Sequence, residues 1–95
     1  MLDKASFYLN LGKKIKDERT KKGYSLDEFS KESGLNINKS TLSAIENGKQ
    51  QISAFQLYLV AEALDLKITE VMKGIDTSNN VKLLNKDDTK NLDNI

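Results

Sequence analysis

Cysteine, histidine, proline and tryptophan are all absent from this chain of 95 residues. The lack of cysteine excludes disulfides and thiol chemistry, and the further lack of histidine excludes most zinc sites and the commonest general base. The sequence also has no carboxylate pair in a catalytic arrangement and no glycine-rich phosphate loop. We therefore expect a protein that is not an enzyme and that has no metal, no cofactor and no small-molecule ligand.

Long apolar runs are absent as well. No stretch approaches the roughly 20 apolar residues of a membrane-spanning helix, and the first residues are not followed by the apolar core of a signal peptide. Hydrophobic residues make up 38% of the chain, and its supply of Leu, Ile and Ala suits short packed helices better than a sheet. We expect a single all-α domain in the cytoplasm, without a membrane partner.

The charges of the chain nearly cancel, with a formal net charge of +1 at pH 7. The total charge alone therefore does not indicate a nucleic-acid partner. Basic residues are concentrated between Lys13 and Lys22, where six of them stand against Asp17 and Glu18. Such a run is either a basic binding surface or the solvated face of an amphipathic helix, and the sequence leaves both interpretations open.

Apolar spacing, capping residues and glycines predict five helices in a domain of residues 1–74. The third helix is expected to start at a cap among Asn38, Ser40 and Thr41. Residues 75–95 are rich in Asn, Asp, Lys and Thr, so we expect a flexible tail. The alternative is that the tail segment 81–84 covers the core or pairs with another chain. The third helix runs to Asn47, and the other four span about 7–22, 25–34, 54–64 and 68–73.

Residues 25–48 are typical of a helix-turn-helix, in which two short helices are joined by a turn. Ser25 and Glu28 can form a capping box at the start of the first helix, and Gly34 lets the chain leave that helix with positive φ. On the second helix of the motif, which is the third of the domain, Leu42 is expected to face the core, while small and polar residues lie on the outer side. A helix with such an outer side fits the major groove, so we predict a DNA-binding protein.

Several fragments of the chain, in the right order, resemble the Xre family of phage-repressor-like helix-turn-helix regulators. The resemblance implies five helices, with the second and third forming the motif, and a homodimer that binds a palindromic operator in double-stranded DNA. It also matches Arg19 and Glu46 to the family's ion pair, which agrees with Arg19 lying on the otherwise apolar stripe of helix one. The fragments, within a match of about 11–72, are residues 11–19, 23–30, 40–49 and 61–64.

Carried over by position, the resemblance assigns DNA contacts to helix three and the residues after it. Asn and Lys can bond to adenine and guanine edges, respectively, whereas Ala44 can only touch a thymine methyl group. The residues implied as base contacts are Asn38, Lys39, Ser40 and Ala44. The residues implied as phosphate contacts are Thr41, Ser43, Asn47 and Lys49.

The sequence departs from the family pattern at three places. Leu26 stands where the family usually has a Gln that contacts phosphate, so we expect this contact to be missing. The turn at Leu35, Asn36 and Ile37 is longer than usual, because the segment between Gly34 and the Glu-Asn-Gly end of helix three has two residues more than the commonest spacing. The register of helix three is therefore open by one residue. Ile52 lies near the position where the family usually has a proline.

A dimer interface is expected on helices four and five, and the alternative is that its candidate residues complete a small core. We expect a repressor, with a restriction-modification controller or an antitoxin-type regulator as alternatives. The rival from another class is a protein-binding module that kept the fold without DNA affinity. The candidate interface residues are Tyr58, Leu59, Ile68, Val71, Met72 and Ile75.

Overall fold

Five α-helices make up the computed structural model, which describes residues 3–32, 34 and 36–75. These residues contain no strand, and the predicted all-α, five-helix fold is confirmed. Within the described residues no helix is long and apolar enough to cross a membrane. The predictions for residues 76–95 and for Leu35 lie outside the described residues. The helices are α1 Lys4–Lys21, α2 Leu26–Glu32, α3 Lys39–Glu46, α4 Ala54–Ala63 and α5 Ile68–Met72.

Side-chain caps determine where the helices begin. Ser25 Oγ accepts a hydrogen bond from the Glu28 N–H at 3.0 Å, and Glu28 Oε1 accepts one from the Ser25 N–H at 2.9 Å, which is the predicted capping box. α1 begins earlier than predicted because Asp3 Oδ1 accepts a hydrogen bond from the Ser6 N–H at 2.7 Å. The predicted start relied on Phe7, the first residue of the apolar stripe, and missed this cap.

The turn between α2 and α3 contains two residues with left-handed backbone. Gly34, which follows α2 as predicted, has a φ of +66°, and Asn36 has a φ of +56°. Asparagine is one of the few residues other than glycine that adopt this conformation readily. α3 then starts at Lys39 with Asn38 as its N-cap, which selects Asn38 from the three candidate caps.

The core joins α3 to α1 and α2. Leu11 and Ile15 of α1, Phe29 of α2, and Leu42 and Ile45 of α3 are each at most 2% exposed. Complete burial of such a side chain stabilises the fold by about 1.5–3 kcal/mol. The inner face of α3 is therefore held against two other helices, which fixes the direction of its outer face.

α1 and α3 approach so closely at Gly12 that no larger residue fits without movement. A Cβ at this position would lie 2.7 Å from the carbonyl oxygen of Glu46 and would also overlap the carbonyl oxygen of Ile45. Because both obstacles are backbone atoms, a change of rotamer cannot relieve the overlap. Gly12 therefore sets the distance between the two helices.

Two residues predicted at a dimer interface lie in the core instead. Val71 is fully buried and Ile75 is 4% exposed, and both belong to the same apolar cluster as Val60 and Leu64. A buried side chain offers no surface to a second copy of the chain. The burial of Val71 and Ile75 favours the alternative interpretation, in which these residues complete the small core.

Candidate nucleic-acid interface

The predicted base-contacting residues lie at the N-terminal end of α3. Asn38, Lys39 and Ser40 are exposed, and Ala44, which follows one turn later, is half-buried. On the opposite side of the helix Leu42 is fully buried. The first turn of α3 thus presents a polar edge to solvent while the rest of the helix is anchored in the core.

Asn38 is exposed, and it also caps the N-terminal end of α3. Its Oδ1 accepts hydrogen bonds from the Thr41 N–H at 2.8 Å and from the Ser40 hydroxyl at 2.9 Å. A bidentate contact with adenine needs both the oxygen and the nitrogen of an Asn amide. With Oδ1 engaged in the cap, Asn38 can offer a base only the N–H groups of its Nδ2.

Two of the predicted phosphate contacts, Thr41 and Ser43, lie within α3, and the other two, Asn47 and Lys49, follow its end. Thr41 and Ser43 are half-buried, whereas Asn47 and Lys49 are exposed. Asn47 Nδ2 donates to the carbonyl oxygen of Ser43 at 3.0 Å, so this amide helps to close the helix. Within the described part of the chain neither Lys49 nor Lys39 forms an ion pair. These two lysines carry the unpaired positive charge of this surface.

Arg19 and Glu46 form a buried, bidentate ion pair between α1 and α3. Arg19 Nε donates to Glu46 Oε2 at 2.7 Å, and Arg19 Nη2 donates to Glu46 Oε1 at 3.0 Å. The remaining Nη1 donates to the carbonyl oxygen of Tyr24 at 2.6 Å. Each of the two charged residues is 5% exposed. The pair therefore ties α3 to α1 and to the loop that leads into α2.

Leu26, the first residue of α2, is half-buried and packs against the core. Its side chain has no hydrogen-bond donor, so it cannot bond to a phosphate oxygen. The position at which the resemblance implies a phosphate-binding Gln serves packing in this chain.

The basic run of α1 is partly neutralised by its own acids. Lys14 and Lys21 both lie near Glu18, with Nζ to Oε2 distances of 3.5 and 3.1 Å. The hydrogen bond from Lys21 lowers the pKa of Glu18 below its ordinary value. The lysines lie three and four residues from their partner, about one helical turn, as in the solvated face of an amphipathic helix. The structure favours that interpretation over a single basic binding surface.

Three of the four large apolar side chains that are exposed in the described residues lie on α4 and α5, and the fourth, Leu9, lies on α1. Phe55 is 69% exposed, Tyr58 is 49% exposed and Ile68 is 36% exposed. Tyr58 and Ile68 line one groove, and Phe55 precedes Tyr58 by three residues on α4. The remaining candidates, Leu59 and Met72, are half-buried and pack against the core. Phe55 lies outside the buried spacing of α4, as the sequence indicates, and it is the most exposed of the three.

Comparisons with known proteins agree with this geometry. A family model described as helix-turn-helix matches residues 15–71. A structure of the clp gene regulator ClgR from Corynebacterium glutamicum matches with a TM-score of 0.72 and 25% identity, over 80% of this chain and 79% of that chain. A second ClgR structure from the same organism matches with a TM-score of 0.69 and 24% identity, over 84% and 96% of the two chains. No curated protein matches the sequence.

Proposed function

Since the chain belongs to the helix-turn-helix family and is a DNA-binding transcription regulator, we propose that it acts as a dimeric repressor. Two copies bind a palindromic operator, with α3 of each copy in the major groove. The observation that carries this proposal is the first turn of α3, whose polar edge is exposed while the opposite side is fixed in the core. The Xre resemblance of the sequence points to the same helix.

Base contacts in this proposal come chiefly from Lys39 and Ser40. Lys39 is exposed and unpaired within the described residues, so it can donate to the O6 and N7 atoms of guanine. Asn38 adds a donor through Nδ2, and Ala44 adds an apolar contact with a thymine methyl group. Lys49, at the other end of α3, contacts phosphate and adds affinity without sequence preference. Thr41, Ser43 and Asn47 lie between these ends and complete the proposed phosphate contacts.

The proposed dimer uses the exposed apolar surface of α4 and α5. Phe55, Tyr58 and Ile68 supply its centre, with Leu59 and Met72 at their inner edge. One small domain buries little area on DNA, and two half-sites about 34 Å apart double the number of contacts. A stable interface of this kind buries about 800 Å² on each partner.

Operator binding is tested with duplexes selected from a random pool by the purified protein. We expect one preferred, palindromic sequence, and a linear loss of log affinity with log salt concentration, because lysine contacts release counterions from the phosphates. Failure to bind any duplex at low salt would contradict the proposal.

The dimer is tested by sedimentation with and without this duplex. We expect the Phe55→Glu and Tyr58→Glu variants to sediment as monomers, because each places a charge in an apolar contact. Thr20→Glu, a change at an exposed position of α1, serves as the matched control and should remain dimeric. A wild-type protein that stays monomeric at high micromolar concentration in both conditions would exclude the dimer.

Leu26 and the net charge of +1 also favour a second candidate, a protein-binding module that kept the fold without DNA affinity. The same salt series separates the two functions. Absence of DNA binding at low salt, in a protein that is folded by circular dichroism, would favour the protein partner.

A further inference from the structure

A cleft lies between the first turns of α1 and the loop that follows α3. Lys4 and Tyr8 line it from α1, and Lys49, Gln50 and Gln51 line it from the loop. Its volume is about 420 Å³, which is ample for a phosphate group with its water. None of the DNA contacts proposed above uses the α1 side of this cleft.

The chemistry of the cleft suits an anion. It contains two lysines, two side-chain amides and a phenol, and none of its lining residues is acidic. Three other surface grooves of the described chain each include a carboxylate, from Asp17, Asp27 or Glu62. Lys4 and Lys49 are exposed, and neither forms an ion pair among the described residues. Both ammonium groups are therefore available to a ligand.

The two walls of the cleft are held together at Gly48. A Cβ on Gly48 would lie 2.8 Å from the Cα of Leu9, so the loop rests directly on α1. Gly48 has a φ of +75°, which places Lys49 immediately beyond the end of α3. The cleft is thus continuous with the end of the helix that is proposed to enter the major groove.

We propose that this cleft binds a phosphate of the operator backbone, with Lys4 as a phosphate contact that α1 adds to that of Lys49. The proposal rests on the proposed function, and it names a contact outside the helix-turn-helix motif. Tyr8, Gln50 and Gln51 supply neutral donors around the same group.

The test replaces Lys4 by Gln and measures operator affinity over a series of salt concentrations from about 50 to 200 mM. Each lost phosphate contact should reduce the slope of log affinity against log salt by about 0.9 per bound protomer. Raising the salt concentration from about 50 to 200 mM should therefore weaken operator binding by wild type about threefold more, per protomer, than binding by Lys4→Gln. Ethylation of one operator phosphate should weaken wild type more than Lys4→Gln, which keeps only the contact from Lys49 and the neutral donors.

Lys13→Gln is the matched control because it removes the same charge from the same helix. Lys13 follows Lys4 by nine residues, which turns it to the opposite side of α1 by about 180°. The salt slope of this variant should equal that of wild type. Loss of folding cannot explain an effect at Lys4, since a cation in the first turn of a helix is unfavourable and its removal does not weaken the helix.

The outcomes separate this inference from the function on which it rests. If wild type binds no duplex, the proposed function fails and the inference fails with it. If wild type binds its operator and Lys4→Gln keeps the wild-type slope, the inference alone is overturned. Inorganic phosphate that shifts the side-chain amide signals of Gln50 and Gln51, together with an unchanged slope, would assign the cleft to a free anion and also overturn it.

Discussion

Changing Glu46 to Gln removes a negative charge from the core while keeping the size of the side chain. In the native protein this carboxylate accepts two hydrogen bonds from Arg19, at 2.7 and 3.0 Å, and both residues are 5% exposed. The amide of Gln accepts only through its oxygen and turns N–H groups toward a guanidinium that also only donates. An uncompensated buried charge of this kind destabilises a domain by about 3–5 kcal/mol.

Urea unfolding at neutral pH measures this loss. With a slope of about 1–3 kcal/mol per molar urea, Glu46→Gln should lower the midpoint by at least about 1 M. The double variant Arg19→Met with Glu46→Leu should recover most of the stability, because no buried charge remains. If Glu46→Gln lowers the free energy of unfolding by less than about 1 kcal/mol, the reasoning is refuted, because exposed ion pairs already contribute that much. If Glu46→Gln is already unfolded without urea, the double variant should still fold. An unfolded double variant would refute the reasoning.

Three further predictions concern α1 and α2. Gly12→Ala should lower the melting temperature, because an overlap that costs about 1–3 kcal/mol exceeds the gain of up to about 1 kcal/mol in helix propensity; Lys13→Ala, at an exposed neighbour, should not. The hydrogen bond to Ser6 lowers the pKa of Asp3 below its ordinary value of 3.8, so the stability difference between wild type and Asp3→Ala should be complete well above pH 3.8 and disappear as pH falls below it in melting experiments. Leu26→Gln should strengthen operator binding by about the same factor at every salt concentration, because a neutral amide that bonds to phosphate releases no counterion, and an unchanged affinity would contradict that contact.

The parts of the fold that sequence predicts well depend on local rules. Ser25 and Glu28 cap the same turn from a spacing of three residues, and the structure contains both hydrogen bonds. A cation on an apolar stripe needs a buried anion, so Arg19 already demands a partner such as Glu46. Spacing determines the first interaction, and the cost of burying a cation without an anion determines the second.

The parts that sequence misses depend on distant neighbours. Gly12 shows no local reason for glycine, because the backbone that excludes a Cβ belongs to α3. Val71 and Ile75 have the same apolar character whether they meet the core or another chain, and only packing decides between the two. Asn38 carries both a cap and a candidate base contact, and its sequence position does not show that the cap engages Oδ1.

The central claim is that the start of α3 selects the DNA sequence whereas its end adds affinity without selection. It is tested by measuring the affinities of Lys39→Ala and Lys49→Ala for the operator and for a set of single base-pair variants. We expect Lys39→Ala to lose discrimination of about 1–3 kcal/mol at one position, and Lys49→Ala to weaken binding to every sequence alike. Unchanged discrimination in Lys39→Ala, or a sequence-dependent loss in Lys49→Ala, would contradict the account.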